Sequence, residues 1–208
     1  KDYGNRPVKH LEKLGVFHRP TLVAHAVHVD DEEIDMLAKY DLKVSHNIIS
    51  NLKLGSGIAP IRKMLEKNVT VSLGTDSSAS NNNLDLFEEM KLAATLHKGV
   101  EQDAVLVSAK TALLMATRFG AEAIWLEDKI GSIEVGKEGD LIVIDTNSPF
   151  YQPKENDPIS HVVCAGSGRD VRDVFIQGKQ MMKNRELLTV DEERVFYEVN
   201  RMRKQFSL

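Results

Sequence analysis

The chain has 208 residues, of which 42% are hydrophobic and 28% are charged, a balance that is typical of folded globular proteins and excludes a disordered chain. A net charge of −4 excludes the basic surface of a nucleic-acid-binding protein, and no apolar run reaches the roughly 20 residues that a membrane helix needs. Cys164 is the single cysteine, which excludes an internal disulfide framework, so we expect a cytoplasmic protein with Cys164 buried. Because the first residue is Lys1 rather than methionine, we expect part of a longer protein.

Predicted helices and strands alternate through the first part of the chain. A short helix within residues 6–17, with Val8, Leu11 and Leu14 on one face, is expected to end at Gly15. The elements that follow are strand 21–29, helix 30–41, strand 42–47, helix 58–68, strand 69–76, and helices 83–98 and 103–124. This order predicts an α/β fold of parallel β/α units, which the pattern alone places in either a barrel or an open sheet.

After Trp125 the pattern changes to short β-rich runs separated by glycines. These runs, 129–145, 159–166 and 171–184, predict a small antiparallel β module. An amphipathic helix within residues 190–206 closes the chain. We therefore divide the chain into 1–124, 125–190 and 191–208.

Each predicted parallel strand ends in polar side chains that an apolar strand does not need. The first strand ends near His25, the second at His46 and Asn47, and the third at Asp76. The carboxyl ends of parallel strands form the functional face of β/α folds, so we expect these side chains to meet there. Imidazole and carboxylate groups bind zinc and iron, and metal-bound water is a nucleophile at neutral pH. The sequence therefore predicts a metal-assisted site on this face.

Plainer interpretations stand beside this one. Asp76 precedes a predicted helix and has the residue type of an N-cap, and His25 has the setting of a core histidine. His28 is three residues from His25, so on a strand the two point to opposite faces, and we interpret His28 as structural. The other histidines lie in surface-like or β-module settings and are given no functional role: His10, His18, His97 and His161. The acidic runs at 30–33 and 88–89 are interpreted as solvated helix faces.

The segment 44–60, VSHNIISNLKLGSGIAP, is predicted to contain an unusually long loop of ten residues. Its polar side chains, Asn47, Ser50, Asn51 and Lys53, offer amide, hydroxyl and ammonium groups to the functional face. The alternative is a structural loop whose Asn side chains bond their own backbone.

Three segments resemble the amidohydrolase superfamily, most of all its 5′-methylthioadenosine/S-adenosylhomocysteine deaminase branch and the related triazine chlorohydrolases. They are LVAHAVHVDDEEI, VSHNIISNLKLGSGIAPI and LGTDSSASNNNLDLFEEMKLAA, and KIGSIEVGKEGDLIVID is similar to that family's return into its small β-sandwich. The resemblance implies a (β/α)₈ TIM barrel with one divalent metal, zinc or iron. It implies that Asp76 binds the metal and takes a proton from its water, and that His25 contacts the water or substrate. Asn47, at the end of the second predicted strand, is predicted to bind the substrate together with His25 and Asp76.

The sequence departs from the family because it contains no His-x-His pair, and the family's strand-five histidine and glutamate would precede Lys1. It therefore resembles a C-terminal half, with strands six to eight in residues 1–124 and part of the β-sandwich in 125–190. One aspartate and one histidine are too few for a catalytic zinc, so we expect this chain alone to bind metal weakly or not at all. An open barrel strips one side of inward residues such as Val23, Val44 and Val71, so we expect self-association or pairing with an N-terminal half.

The resemblance favours a metal-dependent hydrolase acting on carbon–nitrogen bonds, a deaminase of an aminopurine nucleoside-like small molecule, with this chain inactive alone. The alternatives are a dechlorinating hydrolase, a non-catalytic fragment or scaffold, and an unrelated sugar- or nucleotide-binding β/α module. No glycine-rich phosphate loop supports the last of these. The sequence does not decide between deamination and dechlorination, which depends on the shape of the pocket.

Overall fold

The computed structural model describes residues 4–153 and 157–206. Its α-helices are α1 (Pro7–Lys13), α2 (Asp31–Lys39), α3 (Ile48–Lys53), α4 (Ile61–Glu66), α5 (Ser78–Asn81), α6 (Leu86–Glu101), α7 (Ala109–Ala116), α8 (Arg118–Ala123), α9 (Pro158–Ala165) and α10 (Glu192–Phe206). Its strands are β1 (Leu22–Ala24), β2 (Lys43–His46), β3 (Val71–Leu73), β4 (Leu141–Ile144), β5 (Val171–Ile176), β6 (Lys179–Lys183) and β7 (Glu186–Leu187). The fold is mixed α/β, as the sequence predicts.

A three-stranded parallel sheet in the order β1-β2-β3 carries the candidate site. The register places Val23 opposite Val44 and Val44 opposite Val71. The predicted adjacency of three parallel strands is confirmed, and His25, His46 and Asp76 all lie at or just beyond their carboxyl ends.

The expectation that Val23, Val44 and Val71 lose their cover in an open barrel is wrong. Val44 and Val71 are fully buried, and Val23 packs against the same core. These residues share one core cluster with Leu37 of α2 and Met64 of α4, so they are buried without any further strand. The opposite face of the sheet carries residues such as Leu22, which is 41% exposed.

The helix α2 begins where the sequence predicts, because its first turn is fully capped. Asp30 accepts a hydrogen bond from the backbone of Glu33, and the Glu33 side chain accepts one from the backbone N–H of Asp30. This reciprocal arrangement satisfies two donors that a helix N-terminus leaves free. Glu33 also accepts from Val8 N and from Arg6, and it is buried, so the interpretation of the whole acidic run 30–33 as surface is wrong at Glu33.

Two predicted boundaries are wrong in the first part of the chain. The predicted ten-residue loop after β2 contains the helix α3, and the predicted single helix over 103–124 is divided at Thr117 into α7 and α8. The predicted face of α1 is only partly buried, since Val8 is 6% exposed but Leu14 is 64% exposed. Gly15 ends α1 in the left-handed conformation that glycine adopts without strain.

The second sheet is antiparallel, in the order β4-β5-β6-β7, and confirms the predicted antiparallel β structure over 129–145 and 171–184. The predicted strand over 159–166 is wrong, because this segment forms α9. Asp157 caps α9 by accepting from Ile159 N, and Pro158 occupies its first turn, where a missing N–H costs nothing. Cys164 is exposed on this helix, so its predicted burial is also wrong.

The helix α9 packs against α6 and α7 of the first part of the chain. The proposed division at residue 124 therefore stays a prediction. The helix α10 leaves several apolar side chains exposed: Val195, Phe196, Tyr197, Val199 and Met202. Within the described residues, every helix is too short or too polar to cross a membrane.

Candidate active site

His25 lies immediately after β1, where the chain turns sharply. His25 and Ala26 adopt left-handed backbone angles, with φ of 67° and 47°, which are uncommon for residues that carry a side chain. The backbone N–H of His25 still donates to Ser45 O, at 2.9 Å, so the turn is anchored to β2. His25 and His28 both lie beyond β1, which ends at Ala24, so the prediction that they point to opposite faces of one strand is wrong.

Asp76 lies beyond β3, also with a left-handed backbone, at φ 60°. Its carboxylate accepts hydrogen bonds from Ser50 Oγ at 2.6 Å and from Ser77 N at 2.8 Å. These donors, above all the Ser50 hydroxyl, lower the pKa of Asp76 to about 2, so the group is a carboxylate at neutral pH. The N-cap of α5 is Ser77, so the alternative interpretation of Asp76 as that helix's cap is wrong.

The His25 and Asp76 side chains face each other across this edge of the sheet. His25 Nε2 lies 3.9 Å from Asp76 Oδ2, and both side chains are partly exposed. The other ring nitrogen, Nδ1, is 2.8 Å from Asn51 Oδ1. An amide oxygen can only accept, so Nδ1 donates to Asn51, and in the neutral ring Nε2 presents a lone pair beside the carboxylate. Two groups able to accept protons thus converge where a solvent-side ligand can reach them.

Asn47 connects the end of β2 to the backbone of Asp76. Its buried amide donates to Ser45 O at 2.7 Å and accepts from the backbone N–H of Asp76 at 3.1 Å. Gly74 leaves room for these contacts, because a Cβ there would lie 2.5 Å from Ser45 Oγ and 3.0 Å from the Asn47 amide. The described contacts of Asn47 are to the protein, and its role in substrate binding stays a prediction.

The helix α3 carries the partners of both candidate residues. Ser50 contacts Asp76, Asn51 contacts His25, and Lys53 donates to Ala79 O and to Asn82. Ser50, Asn51 and Lys53, which the sequence places in a polar loop, therefore lie on the short helix α3. This helix connects the Asp76 side of the site to the His25 side.

A buried histidine pair lies behind this face, and the sequence pattern did not reveal it. His46 Nε2 and His97 Nε2 are 2.9 Å apart, one donating and the other accepting, and both side chains are almost fully buried. The interpretation of His97 as a surface residue is wrong. Burial disfavours the charged imidazolium, so it lowers the pKa of His46 to about 3 and also lowers the pKa of His97.

Glu89 of α6 is the second group that the sequence pattern did not reveal. Its side chain is fully buried, so the interpretation of the acidic run 88–89 as a solvated helix face is wrong at Glu89. The carboxylate accepts from Ile48 N at 3.0 Å, Ile49 N at 3.4 Å and Asn81 Nδ2 at 2.9 Å. Burial raises the pKa of Glu89 to about 7, and the hydrogen bonds from these donors oppose that rise.

A protein-family model described as the amidohydrolase family matches residues 1–181, well over half of the chain. The chain belongs to the amidohydrolase family.

This amidohydrolase is 49% identical over 199 residues to a 5-methylthioadenosine/S-adenosylhomocysteine deaminase of Dictyoglomus thermophilum, and 51% identical over 199 residues to one of Caldanaerobacter subterraneus. Each alignment covers 96% of this chain but 46% of the relative. The chain thus spans about half the length of the curated relatives that it matches.

Solved structures of similar proteins also match nearly the whole of this chain but about half of their own length. The amidohydrolase chain matches an adenosine deaminase from Xanthomonas campestris with bound zinc at a TM-score of 0.92 and 36% identity, over 98% of this chain and 46% of that one. It matches an atrazine chlorohydrolase from Arthrobacter aurescens, complexed with zinc, at a TM-score of 0.86 and 30% identity, over 96% and 44% of the two chains. Both of these solved structures contain bound zinc.

The donor set of this chain does not fit a complete zinc site. A catalytic zinc takes three protein ligands and a water, and in the described residues no group of three or more His, Cys, Asp or Glu side chains converges in a way that could hold a metal. His25 and Asp76 offer only two metal-ligating groups, and one oxygen of the Asp76 carboxylate already accepts a hydrogen bond from Ser50.

Proposed function

We propose that this chain is the C-terminal half of a metal-dependent amidohydrolase that deaminates an aminopurine nucleoside-like substrate. In this proposal residues 1–124 supply strands six to eight of a (β/α)₈ barrel, residues 125–190 supply part of a β-sandwich, and residues 191–208 form the closing helix. The convergence of His25 and Asp76 at the carboxyl edge of a parallel sheet is the observation that carries it.

Deamination replaces the ring amine by oxygen: water adds to the ring carbon that bears the amine, and ammonia leaves. In this proposal Asp76 is the base, since it is a carboxylate at neutral pH and its partly exposed side chain faces His25. It takes a proton from the attacking water and returns one to the departing amine. His25 presents its unprotonated Nε2 beside Asp76, where it accepts a hydrogen bond from the water or from the substrate.

The remaining metal ligands belong to the other half of the enzyme in this proposal, and the metal is zinc or iron. Support comes from the coverage of relatives, since this chain aligns with 46% of them, and from the two zinc-bound solved relatives. Asp76 is the ligand that this chain contributes. Within the described residues β1 and β3 are each paired on one side only, which leaves both edges to a partner.

The partner is an N-terminal half, on the same polypeptide or on a separate one, or a second copy of this chain. The exposed apolar residues on α10, including Phe196 and Val199, and the exposed side chain of Leu22 on β1 are the surfaces that such a partner would cover.

Dechlorination is the second candidate reaction, favoured by the similarity to the atrazine chlorohydrolase. The two are separated by assaying the complete protein with adenosine, 5′-methylthioadenosine, S-adenosylhomocysteine and a chlorotriazine, and by measuring released ammonia and chloride. We expect ammonia from one or more of the three nucleosides and little chloride. Chloride release from the triazine alone would favour the second candidate, and neither product would contradict both.

A further inference from the structure

Glu89 is a buried carboxylate that touches neither His25 nor Asp76 but is bonded to both elements that hold them. One oxygen accepts from the first two backbone amides of α3, those of Ile48 and Ile49. The other oxygen accepts from Asn81 Nδ2 at the end of α5. A buried carboxylate is costly unless donors surround it, and here every described contact to Glu89 is a donor.

Glu89 forms a hydrogen-bonded bridge between α3 and Asn81. The α3 side of this bridge leads to the candidate site through two side chains. Ser50 donates to Asp76 Oδ2 at 2.6 Å, and Asn51 contacts His25 Nδ1 at 2.8 Å. Both residues lie within one turn of the amides that Glu89 holds. A shift of α3 along its axis therefore moves the partners of His25 and Asp76 together.

The Asn81 side of the bridge leads to the same carboxylate by a second route. Asn81 Nδ2 also donates to Thr75 O, at 2.8 Å, immediately before Asp76. Asp76 adopts a left-handed backbone at φ 60°, a conformation that persists when neighbouring contacts fix it. Glu89 thus links the helix that orients the Asp76 side chain to the peptide that precedes the Asp76 backbone.

We propose that Glu89 is a positioning residue of the active site, which fixes α3 and the Thr75–Asp76 turn relative to each other. The inference rests on the proposed function for its catalytic consequence. Glutamine is the informative replacement, since it keeps the size of Glu89 but has one acceptor oxygen in place of two. Its NH₂ group would face either the amides of α3 or the NH₂ of Asn81, so one of the two links fails.

Glu89→Gln should lower kcat of the complete protein by about 10- to 100-fold, because small misplacements of reacting groups are costly, while KM changes by less than about threefold. Glu88→Gln is the matched control, since Glu88 is the exposed neighbour on the same helix, and its kcat should be unchanged. A Glu89→Gln enzyme with kcat within about twofold of wild type overturns the inference.

A double-mutant cycle separates positioning from general stabilisation. If Glu89 acts by placing Ser50 against Asp76, Glu89→Gln should reduce kcat much less on a Ser50→Ala background than on the wild type. Full additivity of the two losses overturns this route. Should Glu89→Gln fail to fold, Glu89→Asp, which withdraws the carboxylate by one methylene, is tested in the same cycle against Glu88→Asp.

Amide hydrogen exchange decides the question without an activity assay. The backbone amides of Ile48, Ile49 and Asp76 should exchange about 10-fold faster in Glu89→Gln than in Glu88→Gln, because the first two lose their acceptor and the third loses its anchored turn. Unchanged exchange at Asp76 overturns the inference even if the enzyme proves inactive. If the wild-type protein shows no deaminase activity, that result contradicts the proposed function but not the positioning role of Glu89.

Discussion

Asp76→Asn in the complete protein is expected to lower kcat by about 10²- to 10⁴-fold, the range by which a general acid–base group accelerates proton transfer. The substitution keeps the size of the side chain and the oxygen that accepts from Ser50 or Ser77. It removes the charge and the basic atom beside His25 Nε2. Steady-state kinetics with the best nucleoside substrate measure the effect.

The control for this substitution is Asp85→Asn. Asp85 is an aspartate of similar sequence setting, which caps α6 by accepting from Phe87 N and also accepts from Gly168 N. Its replacement should cost at most about 1 kcal/mol of stability and leave kcat unchanged, because Asn is also a good N-cap. Equal kcat values in the two variants would show that Asp76, like Asp85, has only a structural role.

The buried histidine pair is expected to make the protein lose stability as the pH falls. The pKa of His46 is about 3 in the folded protein, against an ordinary value of 6.5. Between pH 6.5 and 3, His46 is therefore protonated in the unfolded chain but neutral in the folded protein. Stability from this group is therefore complete above pH 6.5 and declines steadily below it. At pH 5 the expected loss from His46 is about 2 kcal/mol, which follows from about 1.4 kcal/mol for each pH unit below 6.5.

Glu89 acts in the opposite direction, so the effect of His46 must be isolated by comparison. Because the pKa of Glu89 is raised from 4.5 to about 7, its folded form gains stability as the pH falls through that interval. Urea unfolding at pH 7 and pH 5 is therefore compared between wild type and His46→Gln, which retains a hydrogen-bonding group facing His97 but does not titrate. His18→Gln, at an exposed histidine, is the control. A wild type that loses no more stability between the two pH values than His46→Gln contradicts the prediction.

The positions of His25 and Asp76 were predictable from the sequence because strand termini are a local signal. Apolar residues such as Val71 and Leu73 alternate up to the point where the polar residues begin, and parallel strands align their carboxyl ends. The backbone turn at His25 was not predictable, since nothing local shows that β1 ends after Ala24.

Glu89 and His97 were not predictable because their burial depends on tertiary contacts. Each lies in α6 among charged residues that are exposed, such as Glu88, and each is buried only because α3 or β2 supplies a partner. Helical periodicity identifies the face that is apolar, and it gives no sign of a polar side chain whose hydrogen bonds are satisfied within the core.

The wrong strand over residues 159–166 had a local signal that could have corrected it. The β-branched residues Val162 and Val163 favoured a strand, but Asp157 followed by Pro158 is an N-cap followed by a first-turn proline. The helix α3 had no such signal. Six residues, Ile48–Lys53, are too few to show a helical period.

Combining this chain with the N-terminal half of the enzyme tests most directly whether the active site is shared between two halves. Each half is prepared separately, and zinc content and ammonia release are measured for each alone and for the mixture. The expected result is little bound zinc and no activity in this chain alone, and bound zinc with deaminase activity in the mixture. A mixture made with Asp76→Asn should remain inactive. One tightly held zinc per chain in this half alone, bound through Asp76, His25 and a third ligand of the same chain, would contradict the shared site.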